Sequence, residues 1–500
     1  MMSFIEELYN TFKKNKNNRA FCVEGRDISY GEFLEYVNGA RELLEKLMPG
    51  GNKPVGIISY ECIETYAAIF ATWFSGNHIV PINPKHPIER NMRVFNNTGV
   101  KVVFSVKEKI EGIISPENFK VLNNTGVKSE VELNPVTLGD QQIMYILTTS
   151  GSTGIPKHVP ITVNNVTSYH RGFIKAFPEL KSDACYLQTH DHTTDSAFTS
   201  YLLPLSVGAC VYILPDDQFK FLTIAKLMAD KNINWVKLTP SVLQYLVSYI
   251  SKLNLQHIKY FAFVGEALPK SLVEKWWPIF PNAEVINFYG PTEATMLSTF
   301  YRFKKSEKIR EKNGIVSIGI PFPEVECIII DENEKIAEHC TEGELCIGGQ
   351  QIMSGYLKQN KNPFVYININ GIEKKFYRTG DVVQKDEDGY FYFMGRTDDQ
   401  VKIQGYRINL IEVENIIRKI IPDKKAVVVS SEKSQGIKRL FVFIEQGVEN
   451  TEKIKQELRK HLPSQLIPEE IIVVPDFPFT ASGKIDKKCL EKLYLQDGLR

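Results

Sequence analysis

The chain has 500 residues, of which 43% are hydrophobic and 24% are charged, a composition typical of globular proteins. This length exceeds what one hydrophobic core usually organises, which predicts two or more domains. The 60 Lys and Arg residues almost equal the 59 Asp and Glu residues, and this balance argues against a chain built mainly to bind nucleic acid or an anionic membrane. Small molecules and proteins are therefore the expected partners.

Cysteine usage and the absence of long apolar runs indicate the compartment. The eight cysteines are scattered and include no Cys-x-x-Cys pair, which fits a reducing environment. No apolar run approaches the ~18 residues that a membrane-spanning helix needs, and residues 1–18 lack the apolar core of a signal peptide. We therefore expect a soluble cytoplasmic protein.

Predicted helices and short apolar strands alternate through the first two thirds of the chain. The predicted helices cover 33–47 and 242–253, and the predicted strands cover 144–147, 233–238, 262–264 and 285–288. Alternation of this kind is typical of layered α/β architecture. The predicted fold class is therefore α/β, in a multidomain α+β chain.

The pattern changes twice in the last third of the chain. From Gly343 onward it is rich in predicted strands, including 344–347 and 390–393. After Asp398 the predicted order is helix 410–420, strands 425–430 and 440–445, helix 452–462 and strand 471–474. We predict a large N-terminal domain at 1–397, with layered α/β sheets and a β-rich subdomain, and a small mobile C-terminal α/β domain at 398–500. The predicted hinge lies near Asp398; the alternative is that this residue simply ends a turn.

The segment 148–157 combines hydroxyls, glycines and a lysine directly after a predicted strand. Glycine lets backbone N–H groups approach an anion, the hydroxyls add neutral donors, and Lys157 adds a fixed positive charge. The candidate phosphate-binding residues are Thr149, Ser150, Gly151, Ser152, Thr153, Gly154 and Lys157. The Walker pattern is not matched, because Ile155 and Pro156 separate the last glycine from the lysine. The alternative is a flexible polar turn.

Three later segments carry side chains suited to a nucleotide. Tyr289 could stack on a base, and Glu293 offers the hard oxygen that Mg²⁺ prefers. Asp381 follows a glycine turn and could accept both hydroxyl protons of a ribose, and Lys484 lies in a glycine-flanked loop. Each has a structural alternative: a helix N-terminal carboxylate for Glu293, a turn residue for Asp381 and a solvated charge for Lys484.

Taken together, these segments resemble the adenylate-forming superfamily of acyl-CoA synthetases, luciferases and nonribosomal-peptide adenylation domains. The resemblance runs nearly end to end and rests on residues 28–32, 76–84, 148–157, 239–241, 265–267, 289–293, 343–345, 355–357, 377–381, 395–402, 405–407 and 478–484. The segment 288–295 is most similar to D-alanine:carrier-protein ligases and freestanding amino-acid adenylation enzymes.

The resemblance implies that ATP and Mg²⁺ are the cofactors, and that a substrate carboxylate attacks the α-phosphorus while pyrophosphate leaves. It places the β- and γ-phosphates at 150–157, Mg²⁺ at Glu293 and an α-phosphate oxygen at Thr292. It implies that Lys484 bridges the attacking carboxylate and the ribose side of the nucleotide. The remaining implied nucleotide contacts are Gly265, Glu266, Ala267, Asn287, Phe288, Tyr289, Gly290, Asp381 and Arg396.

The resemblance also implies a second half-reaction. After adenylation the small domain would swivel near Asp398, so that Lys484 leaves and the segment with Lys402 and Gly405 lines a channel for a phosphopantetheine thiol. Because the chain ends soon after Lys484 without a carrier domain, we expect the acceptor to be a separate carrier protein or coenzyme A.

Three residues depart from the pattern of the superfamily. Gln404 stands where arginine is frequent and Asn409 where glutamate is frequent, so the sequence supports thioester formation less than adenylation. His158 stands where glycine usually follows the loop lysine.

Asp195 bears on the class of substrate. Peptide-forming relatives carry Phe-Asp there, and the aspartate pairs with the substrate ammonium; this chain keeps the acid in Thr194-Asp195. A buried carboxylate without a cationic partner is costly, which favours an α-amino acid over a fatty or aryl acid. The alternative is an N-cap for a helix that starts at Ser196.

The same alignment implies a side-chain pocket. Its lining would be Ser196, Thr199, Lys237, Ala262, Val264, Phe288, Met296 and Leu297. Lys237 in an otherwise apolar pocket suggests a short polar amino acid such as aspartate or asparagine. The alternative is that its head reaches water from the end of a strand.

The predicted function is therefore that of a freestanding enzyme that forms an aminoacyl-adenylate and transfers the aminoacyl group to a carrier protein. Alternatives are a D-alanine:carrier-protein ligase, an acyl-CoA synthetase for a non-amino acid, and a non-catalytic nucleotide-binding scaffold. The segment His190-Asp191-His192 has the residue types of a metal site but no third-ligand motif, so zinc is not predicted.

Overall fold

The computed structural model describes residues 3–49, 51–149, 156–216, 220–230, 232–250, 253–337, 342–359, 362–397, 400–422, 424–432, 438–447, 450–478 and 485–496. The α-helices are α1 (Phe4–Lys14), α2 (Tyr30–Leu47), α3 (Ile63–Phe74), α4 (Ile88–Thr98), α5 (Val163–Ala176), α6 (Asp195–Ser206), α7 (Lys220–Met228), α8 (Pro240–Ile250), α9 (Lys270–Trp276), α10 (Leu410–Ile420), α11 (Thr451–His461) and α12 (Lys487–Glu491). None of these described helices has both the length and the apolar composition that crossing a bilayer requires.

The strands are numbered in chain order. They are β1 (Arg19–Val23), β2 (Arg26–Ser29), β3 (Pro54–Ile58), β4 (His78–Ile82), β5 (Val102–Ser105), β6 (Lys120–Asn123), β7 (Ile143–Thr149), β8 (Lys157–Thr162), β9 (Cys185–Gln188), β10 (Cys210–Ile213), β11 (Trp235–Leu238), β12 (Tyr260–Phe263), β13 (Glu284–Tyr289), β14 (Thr299–Phe303), β15 (Glu311–Lys312), β16 (Ile315–Val316), β17 (Ile320–Pro321), β18 (Glu326–Ile330), β19 (Glu342–Gly348), β20 (Phe364–Ile369), β21 (Ile372–Lys385), β22 (Phe391–Arg396), β23 (Gln400–Ile403), β24 (Tyr406–Asn409), β25 (Ala426–Glu432), β26 (Lys438–Glu445) and β27 (Glu470–Val474).

Two large mixed sheets build the N-terminal part. One has the order β17-β14-β13-β12-β11-β9-β10-β1-β2 and the other the order β6-β5-β3-β4-β7-β8. Helices including α1, α3 and α6 contribute to an extensive apolar cluster shared with both sheets. Strands β11, β12 and β13 are parallel neighbours, so their carboxyl ends meet at one edge, where α/β proteins usually bind ligands. This edge positions the candidate site.

The later part of the chain is rich in antiparallel strands. The order β18-β19-β21-β20, with β22 paired to β21, forms a separate sheet. Beyond it, β23 and β24 form a hairpin, β25-β26-β27 form a three-stranded sheet, and residues from Ile403 to Leu466 pack into an apolar cluster of their own. The domain boundary at 397/398 stays a prediction, because Asp398 lies outside the described residues.

The predicted fold class is confirmed, and most predicted elements are found with small shifts of their ends. Helix α10 has the predicted bounds, since Asn409 caps it by accepting a hydrogen bond from the backbone N–H of Ile411 at 2.9 Å. Helix α2 begins three residues earlier than predicted, at Tyr30, because the hydroxyl of Ser29 accepts from the N–H of Glu32 at 3.1 Å. Helix α8 is described from Pro240 to Ile250, and Leu253, its predicted last residue, is not helical.

Candidate active site

A cavity of about 480 Å³ lies at the carboxyl ends of β12 and β13, between the N-terminal sheet and the hairpin β23–β24. Eight of the predicted site residues line it: Gly265, Glu266, Ala267, Phe288, Tyr289, Asp381, Arg396 and Lys402. These residues come from segments far apart in the chain, and the fold brings them to one place. The cavity therefore unites most of the side chains that the sequence assigned to the nucleoside.

Asp381 is one of two acidic residues that line this cavity, the other being Glu266. Asp381 is 3% exposed, and the hydroxyl of Tyr289 donates a hydrogen bond to its Oδ2 at 2.5 Å. Arg396 pairs with Oδ1, and the backbone N–H of Asp381 donates to Thr379 Oγ1 at 3.0 Å. The carboxylate is thus held in one orientation at the cavity wall, where hydroxyl donors of a ligand can reach it.

Two residues predicted to contact nucleotide have other contacts. The side-chain amide of Asn287 donates to the carbonyl of Ser317 at 2.9 Å, so it braces β13 instead of lining the cavity. Gly290 forms a tight turn, in which an added Cβ would lie 2.4 Å from the carbonyl oxygen of Met296. Neither residue lines the cavity, and both stabilise the backbone next to it.

The predicted phosphate loop is described only at its two ends. Ser150, Gly151, Ser152, Thr153 and Gly154 lie outside the described residues. Thr149 pairs with Lys157 in the antiparallel β7–β8 ladder, so a strand follows the loop where a Walker loop would have a helix. Lys157 is 8% exposed, with Nζ 4.7 Å from the ring centroid of Tyr356. The buried Oγ1 of Thr149 has no hydrogen-bond partner among the described residues.

Glu293, the predicted metal ligand, is fully buried in the 3₁₀ turn Thr292–Ala294. Tyr356 donates to its Oε1 at 2.9 Å, and Arg407 lies 3.1 Å from its Oε2. Burial raises the pKa of this carboxyl, but Arg407, hydrogen bonds and Lys157 outweigh burial and lower the pKa overall. No cluster of three metal-ligating side chains occurs among the described residues. A carboxylate of this kind fits Mg²⁺ only where phosphate oxygens and water complete the coordination.

Asp195 is the first residue of α6, and Thr194 occupies the N-cap position, so the predicted alternative of an Asp195 N-cap is wrong. Asp195 lines a second cavity, of about 120 Å³, together with Thr149, Ser196, Thr292 and other residues. Its buried Oδ2 has no hydrogen-bond partner among the described residues. Burial raises its pKa to about 6, against a hydrogen bond with Thr292 that lowers it. A cationic ligand group would satisfy this carboxylate.

Lys237 does not reach water, so the predicted alternative of a solvated head group is wrong. The residue is 5% exposed, and Nζ donates to the carbonyl of Ser196 at 2.7 Å and to Thr199 Oγ1. Burial lowers its pKa to about 7, although the negative charge of Asp195 opposes this shift. A buried basic group and a buried acidic group therefore lie on either side of Ser196.

Most of the other predicted pocket residues are buried, namely Thr199, Ala262, Val264, Phe288, Met296 and Leu297, whereas Ser196 is half-buried. Lys237 and Ala262 are register partners on the parallel strands β11 and β12. The apolar members of the set share one cluster: Ala262, Val264, Phe288, Met296 and Leu297. The ring of Phe288 stacks against Phe322 at 6.2 Å between centroids. Of these apolar residues, Phe288 also lines the first cavity.

The hairpin β23–β24 lies against the site. Its two turn residues, Gln404 and Gly405, both have positive φ, of 52° and 81°, as a type I′ turn requires. The N–H of Gly405 donates to Glu266 Oε1 at 3.0 Å, and Tyr406 donates to Asp191 Oδ2 at 3.0 Å. The structure thus brings Lys402 and Gly405 to the site, whereas Asp398 and Lys484 lie outside the described residues.

The departures from the superfamily pattern have structural roles. Asn409 caps α10, and His158 is 4% exposed, with Nδ1 3.0 Å from Thr148 Oγ1 and Nε2 3.2 Å from the amide of Asn97. Burial lowers the pKa of His158 to about 4, so the ring is neutral at pH 7.

Sequence reasoning missed three contributors to the site. Tyr356, Arg407 and Asp191 had no assigned role, although the first two lie in segments that carried the resemblance. Asp191 belongs to the segment 190–192, which has the residue types of a metal site. In the structure its carboxylate accepts hydrogen bonds from Asn83 and Tyr406. Its position just before Asp195 was the available indication.

Comparisons with known proteins identify the family and the fold of the chain. The model of a family described as AMP-binding enzyme matches residues 8–357. Gramicidin S synthase 2 of Brevibacillus brevis is 29% identical over 501 residues, which cover 97% of this chain and 11% of that protein. The chain thus spans a small part of that relative.

A second relative is matched over almost its full length. The D-alanine–D-alanyl carrier protein ligase of Bacillus licheniformis is 29% identical over 521 residues, covering 98% of this chain and 99% of that protein. Among solved structures, the Vibrio cholerae adenylation domain AlmE in complex with glycyl-adenosine-5′-phosphate has a TM-score of 0.85 at 23% identity, covering 98% of this chain and 97% of that one. This structural likeness shows the shared fold.

Proposed function

We propose that this chain, which belongs to the AMP-binding enzyme family, uses ATP to convert an amino acid into an aminoacyl-adenylate. In the second step it would pass the aminoacyl group to the phosphopantetheine thiol of a separate carrier protein. One observation carries the proposal: a nucleoside-sized cavity with an oriented carboxylate is lined by Lys402, whose charge also acts on Asp195, and a buried oxygen of Asp195 has no hydrogen-bond partner among the described residues. The oriented carboxylate suits a ribose, and the Asp195 oxygen suits a substrate ammonium.

The first step needs positioning and charge stabilisation more than acid–base catalysis. A carboxylate oxygen of the substrate attacks the α-phosphorus, the bond to the β-phosphate oxygen breaks, and pyrophosphate leaves. Lys157 supplies positive charge near the phosphates, and Thr292 lies beside Asp195 in the second cavity, between amino acid and nucleotide. Mg²⁺ held by Glu293 would neutralise phosphate charge when bound. Lys484 retains its predicted role as the bridge between carboxylate and ribose.

In the second step the thiol sulfur attacks the carbonyl carbon, the bond to the adenylate oxygen breaks, AMP leaves, and the thiol proton passes to solvent. We assign the docked position of the hairpin to this transfer step, because Gly405 and Tyr406 both line the second cavity in that position. We propose that the unit at 398–500 turns about a hinge near Asp398 to reach this arrangement.

Lys237 supports a short acidic or polar substrate, aspartate or asparagine. Its charged head lies 2.7 Å from the carbonyl of Ser196, next to the residue proposed to bind the ammonium. The full-length similarity to a D-alanyl carrier protein ligase favours D-alanine as the second candidate. The third candidate, a non-amino acid, offers Asp195 no cationic group.

The test is ATP–pyrophosphate exchange with L- and D-amino acids and with a set of simple carboxylic acids. Strong exchange with L-aspartate or L-asparagine supports the proposal, and strong exchange with D-alanine selects the ligase alternative. Preference for a fatty or aryl acid would refute amino-acid activation. Absence of exchange with every acid would refute the adenylating activity itself.

The pH dependence of kcat/KM for aspartate is expected to be bell-shaped, because this parameter reports groups of the free enzyme. Below pH 6 Asp195 becomes protonated and loses its attraction for the ammonium, since its pKa is about 6. Above pH 7 Lys237 loses its proton and no longer attracts an acidic side chain, since its pKa is about 7. The maximum should therefore lie between these values, and Lys237→Met should abolish the alkaline limb. A profile that is flat through both pKa values contradicts this assignment.

Gly405→Ala is expected to impair transfer to pantetheine at least ~10-fold more than it impairs pyrophosphate exchange. A Cβ at this position would lie 2.7 Å from Thr239 Cγ2, and the φ of +81° strains any other residue. The hairpin should then fail to dock. Gly371→Ala is the matched control, because Gly371 has a φ of +82° but no atom within 4 Å of an added Cβ. Equal losses in both half-reactions would show that docking does not serve transfer.

A further inference from the structure

The buried carboxylate of Glu293 has an arginine where a metal ion would bind. Arg407 Nη1 lies 3.1 Å from Oε2 and 3.3 Å from Oε1, so one guanidinium nitrogen faces both oxygens. Tyr356 donates to Oε1 at 2.9 Å. The carboxylate is 0% exposed and the arginine side chain 19% exposed, so water screens this ion pair little.

Arg407 belongs to strand β24 of the hairpin, and its position depends on the docking of that hairpin. Its Nε donates to Gln400 Oε1 on the opposite strand, which fixes the guanidinium relative to the hairpin. Gly405 and Tyr406 then fix the hairpin relative to Glu266 and Asp191. The pair between Arg407 and Glu293 therefore exists only while the hairpin lies against the site.

The charges around Glu293 do not favour a metal ion beside the docked Arg407. Lys157 already acts on this carboxylate as a second positive charge, next to Tyr356. A divalent cation would add to two cations in a buried region, where like charges repel strongly. If Arg407 leaves, however, Glu293 becomes a buried carboxylate that has lost its main counter-ion, which is costly unless another cation replaces it.

We propose that Arg407 and the metal ion are alternative partners of Glu293, so that hairpin docking and metal binding exclude each other. This inference rests on the proposed function, because it takes Glu293 as the metal ligand. Arg407 is thus a positioning residue: departure of the metal with pyrophosphate frees Glu293 to hold the hairpin for transfer. Because coupling of two binding equilibria is reciprocal, bound metal weakens docking by the factor by which docking weakens metal binding.

The test measures binding of Mn²⁺, as a paramagnetic substitute for Mg²⁺, to the full chain saturated with α,β-methylene-ATP, whose α–β bridge cannot be cleaved and which therefore cannot donate AMP. Arg407→Ala should bind Mn²⁺ about 10-fold more tightly than the unmodified chain, within the usual range of coupling. Arg407→Lys should lie closer to the unmodified chain, because it keeps the charge. Arg378→Ala is the control: Arg378 also pairs with a glutamate, Glu344, at 2.6 Å, but in the sheet of β19 and β21. It should leave the affinity unchanged.

Hydrogen–deuterium exchange of peptide 400–409 supplies a second readout that does not involve activity. In the unmodified chain, Mn²⁺ with α,β-methylene-ATP should raise the exchange rate of the hairpin at least ~5-fold over the nucleotide alone. In Arg407→Ala the metal should add no further increase. Melting temperatures identify a variant that does not fold, in which case Arg407→Gln, which also removes the charge but keeps polar atoms, carries the comparison.

If folded Arg407→Ala binds Mn²⁺ with the same affinity as the unmodified chain, the inference is overturned. It is also overturned if Arg378→Ala increases the Mn²⁺ affinity as much as Arg407→Ala does. Glu293→Gln that binds Mn²⁺ as tightly as the unmodified chain would also overturn it, because Glu293 would then not be the metal ligand. Pyrophosphate exchange by the unmodified chain is measured separately. If that exchange is present, the proposed function stands even when the inference fails.

Discussion

Asp195→Asn is expected to lower kcat/KM for the activated amino acid about 100-fold, the usual effect of removing one partner of a buried charge pair. Asparagine has nearly the same shape, so packing at the start of α6 is preserved while the negative charge is lost. The effect should be large because Oδ2, which has no hydrogen-bond partner among the described residues, is buried, where a substrate ammonium would have no competing water.

A substrate analogue makes this prediction specific. The deamino acid that corresponds to the substrate, such as succinate for aspartate, lacks the ammonium that Asp195 would bind. The unmodified enzyme should discriminate against it about 100-fold, and Asp195→Asn should hardly discriminate, because each change removes the same interaction. Steady-state pyrophosphate exchange measures both ratios.

Asp140→Asn, at an exposed aspartate, is the control and should behave like the unmodified enzyme. An Asp195→Asn variant whose discrimination against the deamino acid persists would show that another group binds the ammonium.

Asp381→Asn is expected to slow pyrophosphate exchange about 100-fold and to raise KM for ATP, since one hydrogen bond to a charged group contributes roughly 1.5–3 kcal/mol and asparagine keeps one acceptor oxygen. The substitution also leaves Arg396 without its carboxylate at the cavity wall. The Tyr289 hydroxyl, 2.5 Å from Oδ2 in the structure, loses a charged acceptor. The nucleoside site should therefore lose both an anion and the ordering of its neighbours.

Nucleotides that lack a ribose hydroxyl test the assigned contact. The unmodified enzyme should discriminate against 2′-deoxy- and 3′-deoxy-ATP, and Asp381→Asn should lose most of that discrimination. Asp386→Asn is the matched control, because Asp386 pairs with Arg310 at 3.2 Å just beyond the same strand, away from the cavity. Equal discrimination in Asp381→Asn and the unmodified enzyme would assign the ribose to a different residue.

Much of the fold could be predicted because local patterns decide it. The apolar positions of α10 recur with helical period, and Asn409 supplies the cap, so both ends were predictable. The start of α2 was missed because the capping role of Ser29 was overlooked. Strand β13 and its parallel neighbours were visible as short apolar runs, but which strands pair is a property of the whole sheet.

The candidate site was predictable where a short motif carries its own chemistry, as in Tyr289 and Asp381. It was less predictable where a contact joins distant segments. Tyr356 and Arg407 lie 63 and 114 residues from Glu293 in sequence, and no local pattern indicates that they share one carboxylate. Asn287 was predicted to contact the nucleotide because it lies inside a nucleotide-binding motif. Its side chain instead donates a hydrogen bond to the carbonyl of Ser317.

The hydrogen bonds of Lys237 constrain how this enzyme could be redesigned or could diverge. Replacing Lys237 alone by an apolar residue would remove one hydrogen bond from Thr199 Oγ1 and one from the Ser196 carbonyl, but these two groups would stay bonded to each other at 2.9 Å. Because Thr199 and Lys237 share a hydrogen bond, their effects on substrate choice should be coupled, although their chain segments are 38 residues apart. Libraries that vary these two positions together should therefore reveal substrate preferences that the single substitutions do not predict.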